Sequence, residues 1–460
     1  MNVHFIAIGG SVMHQLAIAL KRKGYNVTGS DDEIFEPAKD NLKREGILPE
    51  EQGWFPGKIN DDLDAVIVGM HAKNDNPELI RAKEFGLKIY SFPEYIYQES
   101  KDKKRIVVGG SHGKTSTTSM IMHVLRKTGT SFDYLVGAKL EGFEQSVNIT
   151  DAPLIVLEGD EYPASVLDKR PKFHFLFPDV AILTGIAWDH INVFPTFEIY
   201  LEQFSLFIDK IQPGGILIYN ETDLVLKKLV EEHPSDVKRI AYSYMQHHIE
   251  DNKTVVTLDG NDASLKIFGN HNMLNLQAAY LACKESGISA PDFLNAIKDF
   301  TGAAKRLELI AKNESLQIYR DFAHAPSKVK ATMDALKNQY PHRKLIAVLE
   351  LHTYSSLNTA FMQAYRNALE QADLAVVFYS RHALDTKKLP ELRKEDVYEG
   401  FNKKDLVIIN DTPTLQAWLL NQHYHNATLL LMSSGDYDGL DIITFTNKLI
   451  NKELVREEQL

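Results

Sequence analysis

One stretch, GGSHGKTSTTS from Gly109 to Ser119, limits what this chain can fold into more than any other. It follows the strand-like run Arg105, Ile106, Val107, Val108 and opens a helical pattern through Met120, Ile121, Val124 and Leu125. Strand, glycine turn and helix together make a phosphate cradle. Glycines let the backbone approach, N–H groups point inward, a lysine meets the β/γ-phosphates and a hydroxyl faces Mg²⁺. Gly110, Ser111, His112, Gly113, Lys114, Thr115 and Ser116 fill those places, with Lys114 as the phosphate cation and Thr115 as the hydroxyl. The strict GxxxxGK[ST] pattern puts its first glycine where Val108 stands, so the loop is a variant. A solvated turn before a surface helix has the same composition, but the apolar strand before it and the patterned helix after it favour an ATP loop.

At 460 residues the chain is long enough for about three domains of ~150 residues. Alternating strand and helix patterns make the expected class α/β throughout. Residues 1–100 read as an N-terminal Rossmann-like domain, 101–305 as a central P-loop ATP-binding domain and 306–460 as a C-terminal Rossmann-like domain. A net charge of −11 argues against a nucleic-acid partner, which needs clustered Lys and Arg; the short run Lys101 to Arg105 reads instead as linker. The single cysteine, Cys283, sits in an apolar helical pattern as a core thiol, consistent with a reducing compartment. No stretch approaches the ~18 apolar residues that span a bilayer, and the N-terminus lacks a signal-peptide pattern. The expectation is a cytoplasmic monomer or weak homodimer with no membrane partner.

In chain order, Val3 to Ile8 reads as a strand, Gly9 and Gly10 as a turn, Met13 to Lys23 as a helix and Tyr25 to Gly29 as a second strand. This βαβ unit carries an incomplete GxGxxG, and Asp31 falls about 20 residues after the turn, where an acid binds ribose hydroxyls. Strands follow at Leu63 to Val68 and Leu87 to Phe92, then a polar linker from Gln98 to Lys104. Beyond the phosphate loop, strand Leu154 to Leu157 ends in Glu158, Gly159, Asp160 and Glu161, and strand Val180 to Thr184 ends near Asp189 and His190. In a parallel sheet both ends converge on the loop, bringing Glu158 and His190 toward one Mg²⁺ beside Thr115. Magnesium prefers oxygen, so the histidine is the less expected ligand; solvated acids and a surface histidine fit the same spacing. Asn272 and Asn275 stand three apart on a helix, facing an adenine edge or capping the helix. From Lys344 strands and helices alternate again, with a helix expected over Ala360 to Gln371.

Taken together, GSHGKTS at Gly110 to Ser116, EGDE at Glu158 to Glu161, Asp189 and His190, NHNMLN at Asn270 to Asn275, KRLE at Lys305 to Glu308 and DFAHAP at Asp321 to Pro326 span the chain in order. This series resembles the Mur ligases, the ATP-dependent amide-forming enzymes of peptidoglycan synthesis. GFEQS at Gly142 to Ser146, DEYPASVLDKRPKF at Asp160 to Phe173, WDHINVF at Trp188 to Phe194 and LIAVLE at Leu345 to Glu350 are most like the branch that serves peptidoglycan recycling. The resemblance implies ATP and Mg²⁺ as cofactors and UDP-N-acetylmuramate as first substrate. The acceptor it implies is the tripeptide L-alanyl-γ-D-glutamyl-meso-diaminopimelate, with L-alanine as the alternative. By the same resemblance Lys114, His190 and Glu158 are catalytic, and Thr115, Glu158 and His190 serve the metal. Asn272 and Asn275 lie at adenine, Arg306 at phosphate, Asp321 at ribose and His324 in the same cleft. Gly10 and Ser11 lie near the diphosphate, Asp31 near uridine, and Glu161 near the substrate. Closure of the domains would then exclude water from an acyl phosphate.

The chain also departs from the family pattern. Ala7, His14 and Gln15 replace glycines of the N-terminal turn, Arg320 stands where an acid precedes Asp321, and Leu351 and His352 replace proline and arginine. No lysine occurs between His190 and Lys210, so no carbamoylated lysine is expected there. Two rival readings are a nicotinamide-dependent oxidoreductase, which leaves Lys114 unexplained, and a nucleotide-gated binding protein without turnover, which leaves Lys114, Thr115, Glu158 and His190 without a task.

Overall fold

The computed structural model describes all residues except 71, 139, 141, 166, 167, 189–192, 304 and 458–460, and only the backbone of 454–457. The chain divides into two compact units. The first comprises Met1–Met245, Leu258–Asn261 and Leu274–Lys298, and the second Gln246–Thr257, Asp262–Met273 and Asp299–Leu460.

Two sheets make the first unit. Strands β1 (Asn2–Ile6), β2 (Asn26–Ser30), β3 (Ala65–Val68) and β4 (Ile89–Ser91) pair in parallel in the order β2-β1-β3-β4. The larger sheet contains β5 (Lys104–Gly109), β6 (Asp133–Leu135), β7 (Val147–Asn148), β8 (Leu154–Glu158), β9 (Val180–Leu183), β10 (Ile216–Asn220) and β11 (Lys238–Tyr242). Its order is β11-β10-β9-β5-β8-β6-β7, and only β7 runs antiparallel to its neighbour. Central strands such as Ile106 to Val108 and Ile155 to Leu157 are apolar without alternation because the sheet is covered on both faces. One buried apolar cluster runs from Val3 and Leu16 to Phe173 and Tyr200, so both sheets of this unit share a core.

Strands β12 (His247–Glu250), β13 (Lys253–Leu258) and β14 (Asn261–Leu265) form a small separate sheet. The second unit is built on β15 (Glu308–Lys312), β16 (Leu316–Asp321), β17 (Lys344–Glu350), β18 (Leu374–Phe378), β19 (Leu406–Ile409) and β20 (Ala427–Met432). Their order is β15-β16-β20-β17-β18-β19, parallel except for β15. The α/β class with three principal sheets is as expected. Among the described residues no helix is long and apolar enough to cross a membrane.

Three local expectations need correction. Residues expected as linker from Gln98 belong in part to the helix Phe92–Ser100, started by a Ser91–Glu94 capping box with proline in its first turn. Arg105 is buried, its guanidinium held by the carbonyls of Ser100 and Phe177. The helix expected over Ala360 to Gln371 is a 3₁₀ segment, Thr359–Tyr365, followed by turns; it ends where Arg366 turns to a ψ of 124° and Asn367 to a left-handed φ of 61°.

Candidate active site

Strand β5 lies between β8 and β9, with Val108 opposite Glu158 and Gly109 opposite Leu183. Parallel pairing therefore delivers the segments after both neighbours to the loop that follows β5. Gly110 has φ +127°, and a Cβ there would lie 2.2 Å from Thr184 Oγ1. Gly113 has φ +82°, and its Cβ would lie 2.3 Å from Asn275 Oδ1. Both positions thus exclude a side chain by conformation and by space. Val108 needs no glycine because it is still a paired, buried strand residue, and the turn begins only at Gly110. The helix Lys114–Lys127 follows at once, offering its first N–H groups to an anion.

Lys114 Nζ donates to Gly110 O at 2.6 Å and to Glu161 Oε2 at 2.7 Å, and the Glu161 side chain is only 1% exposed. The other oxygen, Glu161 Oε1, accepts from the Tyr200 hydroxyl at 3.3 Å. That hydroxyl lies 2.8 Å from Ser111 Oγ, which accepts from Ala187 N at 2.8 Å. Burial pulls the Lys114 ammonium down, but Glu161, Asp160 and Glu158 more than reverse this and keep it charged. Burial likewise pushes Asp160 up, and Lys172 and Lys114 overturn that, holding its carboxyl below the usual range. Incoming phosphates therefore meet a charged lysine already desolvated and balanced by a carboxylate.

The Thr115 hydroxyl donates to Glu158 Oε1 at 2.8 Å, and Gly137 N donates to Glu158 Oε2 at 2.7 Å. A phosphate-loop hydroxyl beside a carboxylate is an oxygen pair that fits Mg²⁺, which takes few protein ligands and completes its shell with phosphate and water. His190 and Asp189 lie outside the described residues. Tyr200, Thr184 and Gly137 escaped the sequence reading. Thr184 bonds the His112 carbonyl and lies 3.1 Å from that of Gly109. Tyr200 had a signal in the apolar spacing Tyr200, Phe204, Phe207, which marks a buried helical face.

In the first sheet, Gly9 N donates to the buried Asp31 carboxylate at 2.7 Å, so this acid braces the glycine turn itself. Gly10 is half-buried and Ser11 exposed beside it. Ala7 holds a left-handed φ of 68°, which explains why glycine suits that position. Asn275 accepts from the Thr117 hydroxyl at 3.3 Å and sits against Gly113, whereas Asn272 donates to Phe268 O at 2.9 Å. The shared face therefore splits into separate local contacts.

In the second unit, Asp321 is buried and accepts from Ala323 N at 2.7 Å, Leu307 N at 2.9 Å and Thr332 Oγ1 at 3.2 Å. Burial pushes its carboxyl up, partly opposed by those donors and by Arg306. The Arg306 guanidinium stacks 4.6 Å from the Phe322 ring, and His324 Nδ1 donates to Phe322 O at 2.9 Å. Arg320, the departure before Asp321, pairs with Glu308 at 2.8 Å. His352 Nδ1 lies 3.7 Å from Glu350, whose buried carboxylate also accepts from Tyr437 N at 3.0 Å.

Family models match the chain in three consecutive blocks: "Mur ligase family, catalytic domain" over residues 2–104, "Mur ligase middle domain" over 108–283 and "Mur ligase, glutamate ligase domain" over 305–435. The chain is 30% identical to UDP-N-acetylmuramate–L-alanine ligase of Carboxydothermus hydrogenoformans, over 95% of this chain and 94% of that protein. It is 28% identical to UDP-N-acetylmuramate–L-alanyl-γ-D-glutamyl-meso-2,6-diaminoheptandioate ligase of Haemophilus influenzae, over 95% and 97% respectively. Its fold is similar to that of UDP-N-acetylmuramate-alanine ligase from Thermotoga maritima, with a TM-score of 0.68 at 21% identity, covering 99% of this chain and 100% of the other.

Proposed function

The chain belongs to the Mur ligase family, whose members are ATP-dependent amide-forming ligases, and we propose that it joins UDP-N-acetylmuramate to L-alanyl-γ-D-glutamyl-meso-diaminopimelate. The observation that carries the reading is the charged Lys114 in a glycine loop, flanked by Thr115–Glu158 and by Glu161. A carboxylate is a poor electrophile. The muramoyl carboxylate therefore attacks the γ-phosphate of ATP, giving an acyl phosphate and ADP. Lys114 leaves Glu161 for the transferring phosphoryl group and spreads its charge. The peptide α-amine then attacks the acyl carbonyl, and the tetrahedral oxyanion collapses to expel phosphate. With Lys114 turned to the phosphoryl group, the Glu161 carboxylate, still bonded to Tyr200, takes the amine proton. Thr115 and Glu158, with His190, would hold Mg²⁺, which when bound would supply Lewis-acid stabilisation of phosphoryl charge.

In this proposal residues 1–100 take the nucleotide sugar, 101–305 bind ATP and 306–460 form the third domain. Gly10 and Ser11 meet the diphosphate, and Asp31 supports them through Gly9 N. Asn272 and Asn275 serve adenine, while Arg306, Asp321 and His324 are nucleotide contacts. A cytoplasmic monomer or weak homodimer belongs to the same reading. The second reading, L-alanine as acceptor, is favoured by the 30% identity to an L-alanine ligase. Both acceptors offered together with ATP, Mg²⁺ and UDP-N-acetylmuramate, with products identified by mass, decide between them. The tripeptide adduct is expected; the alanine adduct alone would move the assignment.

A further inference from the structure

An unbroken run of hydrogen bonds joins the glycine turn of the first sheet to the carboxylate beside the phosphate loop, all within the first unit. It starts at the Gly10 carbonyl, 2.9 Å from His14 Nδ1. A carbonyl only accepts, so Nδ1 carries the proton and Nε2 remains an acceptor. The Gln15 amide nitrogen donates to that Nε2 at 2.8 Å, joined by Asn41 Nδ2 at 3.3 Å. With its NH₂ so committed, Gln15 turns its carbonyl oxygen to Ser146 N, 3.2 Å away. Ser146 O accepts from Val136 N at 2.9 Å, and the next N–H, that of Gly137, donates to Glu158 Oε2 at 2.7 Å. Glu158 Oε1 then takes the Thr115 hydroxyl.

His14 and Gln15 are 4% and 9% exposed. Burial pulls the His14 imidazole below its ordinary value, although the Gly10 carbonyl works the other way, and this keeps the neutral ring that the run requires. A buried glutamine is unfavourable unless its amide groups are bonded. Here its two ends bond elements of different sheets: His14 in the helix after β1, and Ser146 in the segment before β7. A purely apolar contact would join the sheets as well but would fix neither end in direction.

We propose that Gln15 is a positioning residue that couples the glycine turn to Glu158, so that a diphosphate on the turn and a magnesium nucleotide on the phosphate loop bind cooperatively. The inference rests on the reading that the turn receives the diphosphate of UDP-N-acetylmuramate. A ligand that draws on the turn moves the Gly10 carbonyl, re-aims His14 and Gln15, and through Ser146 and Val136 resets the Gly137 N–H that orients Glu158.

Titration calorimetry of UDP-N-acetylmuramate binding, with and without saturating MgADP, measures the coupling as a ratio of dissociation constants. Wild type is expected to show a ratio of about five or more, within the usual range of site-to-site coupling. Gln15→Met should bring the ratio to about one by removing both the donor and the acceptor. Gln15→Glu keeps an acceptor for Ser146 N but has no N–H for His14 Nε2, so it too should bring the ratio toward one. If Gln15→Met does not fold, His14→Leu cuts the run one step earlier and is read in the same way. A wild-type ratio of about one, or a Gln15→Met ratio equal to a larger wild-type value, overturns the coupling while leaving the functional reading intact. Wild-type protein that does not bind UDP-N-acetylmuramate overturns the functional reading, and the coupling falls with it.

Discussion

Replacing Lys114 by methionine keeps the bulk of the side chain and removes its charge, taking from Glu161 the ammonium 2.7 Å away in a pocket where the carboxylate is 1% exposed. Breaking a buried ion pair by removing one partner costs roughly 3–5 kcal/mol, because the remaining desolvated charge loses a counter-charge. The Lys114 side chain is 15% exposed, so water reaches the vacated side, and the lower end, about 3 kcal/mol, is the expected loss. For a folding unit of about 270 residues that corresponds to a fall of about 5 °C in Tm. The double variant Lys114→Met/Glu161→Gln removes the carboxylate charge as well but keeps an acceptor for Tyr200. It should recover all but about 1 kcal/mol, the scale of one neutral hydrogen bond. Thermal unfolding without nucleotide reads the stability, and ADP release reads activity, which neither variant should regain. A single variant melting within about 2 °C of wild type, or a double variant no more stable than the single, would refute the ion-pair argument.

Gly113→Ala places a Cβ 2.3 Å from Asn275 Oδ1 at a left-handed φ, adding about 1–2 kcal/mol of strain and abolishing ADP binding; wild-type ADP affinity in calorimetry would contradict the loop assignment. Glu158→Gln should raise the Mg²⁺ concentration for half-maximal turnover by at least the roughly tenfold that even an outer-shell partner costs, and an unchanged Mg²⁺ titration would remove Glu158 from the metal site. Burial pulls His271 from 6.5 down to about 4. Because the folded value is the depressed one, the unfolded chain binds the proton first, so stability complete above pH 6.5 is lost as pH falls toward about 4. His271→Leu should flatten that acid limb in a series of melts, and an unaltered limb would show that another group governs it.

The phosphate loop was legible because its chemistry is local: two glycines, a lysine and a threonine between a strand and a helix. The approach of Glu158 followed from an apolar run ending in acids, once parallel pairing was assumed, and the register of β5 against β8 bears that out. The burial of Tyr200 had a signal, but its partners and those of Gly137 were not legible, since nothing near them in sequence announces Ser111, Glu161 or Glu158. The pair Asn272 and Asn275 shows the limit of spacing arguments. Three residues apart they share a face, yet one bonds a carbonyl four residues back while the other meets Gly113 and Thr117 from a distant segment. His14 and Gln15 look in sequence like damage to a glycine motif, but folding gives each a hydrogen-bonded place. The helix expected before Gln371 ends where Arg366 leaves helical ψ and Asn367 takes a left-handed φ, which hydrophobic periodicity does not register.

The central claim is tested most directly by ADP release from the purified protein with ATP, Mg²⁺ and UDP-N-acetylmuramate, offered the tripeptide, L-alanine or no acceptor, with Lys114→Ala as the blank. The account predicts sustained ADP release with the tripeptide, none above the blank without an acceptor, and one amide formed per ADP. Release at the level of the blank with both acceptors would contradict it.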